Sequence, residues 1–466
     1  MTWEISTGAK PLAADRRFVL TVAATSLAFL LVQLDVTIVN VALATMGEAL
    51  HAPLSGLQWV VDAYAIAFAS LLLSAGALGD RMGPRRILTL GFAVFIAASA
   101  GCGLAPSGAI LIAARVAQGV GAALMVPASL ALLNHASGGD ARLRGHAVAW
   151  WTAAGSVGLA AGPLAGGLLI AAFGWRSIFF VNAPLGLLSI WLTLTFVEEA
   201  TPGGERRSFD IKGQSFAIIG LPALTAGVIE AGAHGVGEPL ALLLFALAVA
   251  AGAAFLFVEA RSADPMLPLG LFRSLKVSAM MGVGLVVNFA LYGFLFVLGL
   301  YFQRAHGLSA QETGFAFLPL SVVVGLANVA AGWLMAKIGA RTLMIAGLGV
   351  GAVGFALIVG IEAQTSYLAL APGFLLISGG VGAAVPAMTT TLLAAVDKSQ
   401  AGVASGALNM IRQAAGAVGV ALFGAIGGDA AQSMTGLRAT FWLAAAVLAA
   451  GAAMAAVGGG RGATRA

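Results

Sequence analysis

The chain has 466 residues, of which 60% are apolar and only 9% charged, with a mean hydropathy of +0.98 and a formal net charge of +5. A soluble domain is about 45–50% apolar and about 25% charged, so no aqueous fold hides this much apolar surface and the composition implies a membrane-embedded protein. The single cysteine, Cys102, excludes an intramolecular disulfide and a cysteine-based metal site, and the five scattered histidines offer no ligand cluster.

A membrane helix needs about 20 apolar residues. Spans are predicted near 18–46, 58–79, 87–105, 109–134, 146–171, 177–197, 214–233, 239–259, 277–302, 312–336, 342–361, 367–395, 401–427 and 438–458. The segments 18–46 and 367–395 exceed one bilayer thickness and are expected to tilt or to include an interfacial turn. Lys10, Arg16 and Arg17 precede a first span too long for a signal peptide, and no small-residue cleavage site closes it, so it is expected to stay as an anchor.

With the N-terminus placed in the cytoplasm, nineteen of the 24 basic residues fall in cytoplasmic segments, three (Arg176, Arg304, Arg438) outside, and two (Arg115, Arg412) within spans. That bias supports an even number of spans and cytoplasmic N- and C-termini. It also makes the basic charge topological, which excludes nucleic acid as the partner. The polar stretch 198–213, broken by Pro202 and by Gly203 and Gly204, reads as a linker.

The two ends of the chain echo each other. Gly76-x-Leu78-x-Asp80-Arg81-x-Gly83-x-Arg85 returns 256 residues later as Gly332-x-Leu334-x-Ala336-Lys337-x-Gly339-x-Arg341, with Ala336 in place of the acid. Gly119-Val120-Gly121 returns 261 residues later as Gly380-Val381-Gly382. Matching the loop after span 2 to the loop after span 10 leaves two extra spans. The expected organisation is a cytoplasmic tail (1–17), six spans (18–197), a cytoplasmic linker (198–213), two inserted spans (214–259), a cytoplasmic loop (260–276), six spans (277–458) and a cytoplasmic tail (459–466).

Five motifs carry a family resemblance. The loop residues Gly76, Gly79, Asp80, Arg81, Gly83, Arg85 and Arg86 resemble the loop motif of the major facilitator superfamily. Arg115-Val116-Ala117-Gln118-Gly119 resembles its Arg-x-x-Gln-Gly motif, and Gly158, Gly162, Pro163, Gly166 and Gly167 resemble the motif of its antiporters. Leu34-Asp35-Val36-Thr37-Ile38-Val39-Asn40 and Gly402-x-x-Ser405-Gly406-x-x-Asn409-x-x-Arg412-Gln413 resemble signatures of the fourteen-span drug:proton antiporters, in the manner of the methylenomycin-A-resistance-like exporters. Ala44 departs from the pattern, which often has proline there. The resemblance implies an all-α polytopic membrane protein of the major facilitator fold, with 14 transmembrane helices arranged 6+2+6 around a midplane site. It further implies a multi-pass secondary active efflux transporter of the inner or plasma membrane, functional as a monomer among membrane lipids. The transporter would exchange small lipophilic drugs or antibiotics for protons, with the proton motive force in place of a cofactor. A narrow-specificity metabolite exporter and a proton-coupled importer of the same fold stay open. No Walker-type phosphate loop and no nucleophile–base constellation is present, so no enzymatic activity is expected.

Ionisable groups inside a bilayer are costly and point to function. Burial favours a neutral acid and a nearby cation favours its carboxylate, which is the property a proton carrier uses. Asp35, Asp62 and Glu230 are therefore the candidate proton-coupling acids. Arg115 cannot lose its proton and is expected to couple to Asp35 or another group of span 1. On this reading Asp35→Asn abolishes proton-driven transport in a protein that still folds. Candidate substrate-cavity residues are Gln33, Asn40, Gln58, Tyr64, Gln118, Asn288, Tyr292, Asn409 and Arg412. The span-5 glycines and Pro163 suit an interface between halves that seals and rocks. Arg81, Arg85 and Arg86 are expected to pair across the halves and close the cytoplasmic side, while Glu259 and Glu362 read as interfacial acids.

Overall fold

The computed structural model describes residues 16–199, 210–262, 264–362, 364–397, 400–428 and 434–458. Most of the expected linker 198–213, the tail 459–466 and all of the tail 1–17 except Arg16 and Arg17 lie outside the described residues. So do Lys10, Arg206, Arg207, Lys398, Arg461 and Arg465.

Among the described residues fourteen helices are long and apolar enough to cross a membrane, and no strand occurs. They are α1 (Arg16–Ile38), α2 (Leu54–Met82), α3 (Pro84–Gly103), α4 (Gly108–Ala136), α5 (Ala141–Phe173), α6 (Asn182–Phe196), α7 (Ile211–His234), α8 (Pro239–Glu259), α9 (Leu275–Leu300), α10 (Ala310–Ile338), α11 (Ala340–Leu357), α12 (Tyr367–Leu393), α13 (Ala401–Gly427) and α14 (Met434–Gly458). The long first segment breaks after α1. A tight turn, Val39–Val41, leads into a separate short helix, Leu43–Leu50. Residues 367–393 instead stay one helix despite Pro372 and Pro386.

Local chemistry sets several helix starts. Asp140 caps α5 by accepting from the Arg142 and Leu143 amides at 2.8 and 3.2 Å, and Asp210 caps α7 through the Gly213 amide at 2.8 Å. Ser309 and Glu312 form a reciprocal capping box at the start of α10. The segment 76–86, expected to be a loop, is almost entirely helical. Gly83 alone separates α2 from α3, at φ +93°, and Gly339 separates α10 from α11 at φ +79°. Only glycine adopts such a backbone without strain, and Pro84 is pre-set for the first helical position that follows. A Cβ at Gly83 would also run into the Glu199 carboxylate.

The packing repeats with a step of eight helices. In the first half α1 packs on α5 and α6, α2 on α4, and α3 on α4 and α6. In the second half α9 packs on α13 and α14, α10 on α12, and α11 on α12 and α14. The halves meet through α2 with α13 and α5 with α10, two seams related by the same correspondence. The inserted α7 lies on the first seam, touching both α2 and α13, and α8 packs outside it on α7. Gln214 fixes that position by donating to the Ser70 carbonyl (2.8 Å) and accepting from the Ser74 hydroxyl. One echo in the sequence is not an echo in space. Gly119 approaches α2 and Gly121 approaches α3, whereas Gly380 approaches α11 and Gly382 approaches α10, so the facing helices are exchanged.

While Gly406 of α13 meets Leu73 of α2 nearer the junction face, several contacts between the halves lie toward the membrane face opposite the Gly83 and Gly339 junctions. There Gln303 donates to the Val41 carbonyl (3.1 Å) and Gln58 to the Ala421 carbonyl (2.8 Å). A Cβ at Gly167 would meet the Ala310 carbonyl, and one at Gly314 the Pro163 carbonyl. Toward the junction face α5 and α10 leave Trp150, Val157, Leu326 and Val329 exposed.

Candidate functional site

Arg115 and Asp35 form a buried ion pair, 1% and 0% exposed, between Nη1 and Oδ2. Gln118 donates to Asp35 Oδ1 at 2.9 Å and Asn182 to the same oxygen at 3.2 Å. Gln118 also lies 2.8 Å from Ser99 Oγ and accepts from Arg115 Nη1 at 2.8 Å. Arg115 Nε donates to the Val60 carbonyl at 2.9 Å, and its guanidinium sits 4.4 Å above the Tyr64 ring. Asp35 thus accepts from three donors, contributed by α4 and α6. Every member of this network belongs to the first half.

Asp62 is the opposite case. It is 0% exposed, and neither carboxyl oxygen has a hydrogen-bond partner among the described residues. It lines a central cavity with Asn40, Tyr64 and Arg115 of the first half and with Tyr292, Gln413, Gly416 and Val420 of the second. About 20 Å³ remains there for water, room for about one molecule. In this conformation the Asp62 side chain itself is sealed from solvent.

The other predicted residues divide. Tyr292 lines the cavity beside Gln33. Arg412 lies just outside it, where Nε donates to Asn288 Oδ1 at 3.0 Å, and Asn409 is half-buried on the same helix. Gln118 serves the Asp35 network and is not part of the cavity wall. Gln58 is drawn away to the second half, and Gly424 leaves it room there. Glu230 sits near the end of α7, paired with His234 at 2.9 Å and not joined to either central acid. Glu362 is exposed and pairs with Arg438 at 3.3 Å. Glu259, expected at the interface, is buried instead, because it folds in to accept from the Leu267 amide at 2.9 Å.

Two expectations about the motifs change. Gly158, Gly162 and Gly166 do not face the second half. A Cβ at these positions would meet the Leu30 carbonyl, Thr37 Oγ1 and the Ile38–Val41 turn, all in the first half. Gly167 and the Pro163 carbonyl do touch α10. Pro163 has no N–H for the Leu159 carbonyl one turn earlier, and the Thr37 hydroxyl lies 3.1 Å from that oxygen. The Gly162–Pro163 pair therefore builds a socket for Thr37. Arg85 also stays within its half, donating to the Thr193 and Leu194 carbonyls at 3.3 and 2.6 Å, and both Arg85 and Arg86 approach Glu199. The reason is geometric: α3 starts beside the end of α6, whose open carbonyls attract cations.

Sequence reasoning missed Ser99 and Asn182 as members of the network, Thr37 as the socket's occupant and Gln413 as cavity wall. Asn182 gave the clearest signal, as an amide opening an otherwise apolar helix.

The profile of the Major Facilitator Superfamily matches residues 25–420. The chain is 37% identical over 412 residues to the multidrug resistance protein Stp of Mycobacterium tuberculosis, covering 88% of this chain and 76% of that protein. It is 39% identical over 405 residues to the methylenomycin A resistance protein of Bacillus subtilis, covering 86% of each. Among solved structures, the partially occluded inward open xylose transporter XylE of E. coli superposes with a TM-score of 0.66 at 15% identity. It covers 94% of this chain and 96% of that one. A profile match and relatives spanning this much of the chain, on two six-helix bundles that repeat each other's packing, make it a member of the major facilitator superfamily of membrane transporters.

Proposed function

We propose that the protein exports small lipophilic compounds, antibiotics among them, in exchange for protons. The Lys and Arg bias supports placing the Gly83 and Gly339 junctions and both termini on the cytoplasmic side of the cell membrane, and the transporter works as a monomer without a cofactor. The drug- and antibiotic-resistance functions named for the relatives support the direction and the class of cargo.

One observation carries the proton. Asp62 is a fully buried carboxyl without a partner, on a cavity wall shared by both halves. A bare carboxylate closed into such a cavity costs several kcal/mol, whereas the neutral acid does not. An empty carrier therefore closes with Asp62 protonated and releases the proton where the cavity opens to water. The Asp35–Arg115 pair is the fixed charge beside it. The contacts at the outer face, together with the exposed junction-side residues of α5 and α10, support reading this conformation as the inward-facing half of an alternating cycle.

The deciding experiment is drug accumulation in cells expressing the protein, across antibiotics and dyes, with and without a protonophore. Reduced accumulation that the protonophore reverses, and that Asp62→Asn abolishes, is the expected result. Export that persists without a proton gradient, or in Asp62→Asn, would refute proton exchange. Proton-dependent accumulation in place of efflux would identify an importer.

A further inference from the structure

Arg412 is a second cation near the middle of the membrane, and unlike Arg115 it has no acid. Among the described residues no carboxylate lies within ion-pair distance of it, and its one hydrogen bond is Nε to Asn288 Oδ1 at 3.0 Å. Its stem packs against Gly284 of α9, beside Leu408 of its own helix and Met388 of α12 around that same glycine. Arg412 is half-buried, so part of its side chain stays accessible to a ligand.

The unsatisfied atoms around it share one sign. Asn288 is 2% exposed, and because its oxygen is taken by a guanidinium that cannot accept, its amide nitrogen is fixed as a donor. That nitrogen has no partner. The node thus offers the remaining Arg412 N–H groups and the Asn288 amide nitrogen, all of them donors. The group that satisfies it is acceptor-only and negatively charged, with an oxyanion geometry that a guanidinium binds in bidentate fashion.

Position links the node to transport. Gln413, next to Arg412, and Gly416, one turn further along α13, line the central cavity with Tyr292. Asp62 lies about 12 Å along α2 from the outer-face end, and Arg412 about 22 Å along α13 from its own end on that face, at 1.5 Å per residue. Arg412 is therefore about 10 Å nearer the cytoplasm, on the way into the cavity.

We propose that the exported compounds carry an anionic group, a carboxylate or comparable oxyanion on a lipophilic body, and that Arg412 with Asn288 receives it. This rests on the export reading above and names its cargo class. Equilibrium dialysis of the full chain in lipid nanodiscs against anthracene carboxylate, anthracene methanol and anthracene methylamine tests it with one ring system and three charges. The carboxylate is expected to bind about tenfold or more tightly than either of the others, the worth of hydrogen bonds to a charged group. Arg412→Gln should collapse that ratio to about one. So should Asn288→Asp, which keeps the guanidinium and supplies an internal counter-charge, and it decides the matter should Arg412→Gln not fold. Equal or cation-favouring affinities, binding of none of the probes, or an anion preference that survives both substitutions would overturn the proposal. Anion-selective binding without protonophore-sensitive transport in proteoliposomes would sink the proton-exchange reading alone.

Discussion

Asp35→Asn and Asp62→Asn make the same chemical change one helix apart, and the structure separates their consequences. Removing the Asp35 charge leaves the Arg115 guanidinium, 1% exposed, with neutral partners alone: the Val60 carbonyl, the Gln118 oxygen, the Tyr64 ring and the new amide. Breaking a buried ion pair from one side costs about 3–5 kcal/mol. Asp62 has no partner to lose, so its amide replacement is expected to cost about 1 kcal/mol or less. Cys102 reports the difference. It is the chain's only cysteine, is fully buried, and donates to Gln118 at 3.2 Å inside the network. Its labelling by a maleimide tracks the population of the opened first half. Asp35→Asn should raise the labelling rate by about a hundredfold or more, taking about 1.4 kcal/mol as a factor of ten. Asp62→Asn should change it by less than about tenfold. Adding Arg115→Gln to Asp35→Asn should recover part of the loss, as coupled neighbours do. A wild-type labelling rate in Asp35→Asn would show that the ion pair does not hold the half together. Equal acceleration in Asp62→Asn would show that Asp62 is not the unpartnered acid described. On this reasoning Asp35→Asn is expected to disturb the packing of the first half as well as transport, which the labelling rate separates from a loss of transport in a folded protein.

Other substitutions test the remaining contacts. Thr37→Val removes the hydroxyl beside the Leu159 carbonyl at nearly constant volume and should cost about 1–3 kcal/mol, seen as faster Cys102 labelling; an unchanged rate would mean the socket contributes nothing. Gly162→Val and Gly167→Val should part company, because the first collides with Thr37 inside one half and the second with the Ala310 carbonyl on the other. In a Cys102→Ser background, a cysteine replacing Val41 should become reactive from the outer face in Gly167→Val only, and reactivity in neither would refute closure at that point. Gln214→Ala should loosen α7 from α2 by about 1 kcal/mol, read as faster amide exchange along α7, and protection equal to wild type would deny the tether.

Length and hydropathy made the spans readable, because a bilayer needs a fixed length of apolar helix and tolerates little else. The repeat was readable at Gly83 and Gly339, where the backbone itself demands glycine. The surrounding residues misled. Asp80, Arg81, Arg85 and Arg86 look like loop because they are charged, yet helices run through the interface where water reaches their side chains. The glycines of α5 misled in another way. Small residues announce that a neighbour comes close, but not which one, and the packing turned most of them toward α1. The exchanged faces of Gly119 and Gly380 have the same cause: composition repeats more loosely than geometry does.

The two central acids show where such reading stops. In the sequence each is a lone acid in an apolar span with an amide nearby, Asn40 for Asp35 and Gln58 for Asp62. The difference comes from other helices, since α4 and α6 converge on Asp35 while Gln58 turns away toward Ala421. It bears directly on coupling. Every partner of Asp35 lies in the first half, so a rocking motion of one half against the other leaves its surroundings as they are. The wall around Asp62 includes Tyr292, Gln413 and Gly416 of the second half, so on the proposed alternating cycle the same motion is expected to hydrate it or close over it. An acid drives an exchange only if its cost of ionisation changes between the two states of the carrier. On the proton-exchange reading proposed above, Asp62 is the acid expected to meet that condition, because it has no hydrogen-bond partner among the described residues.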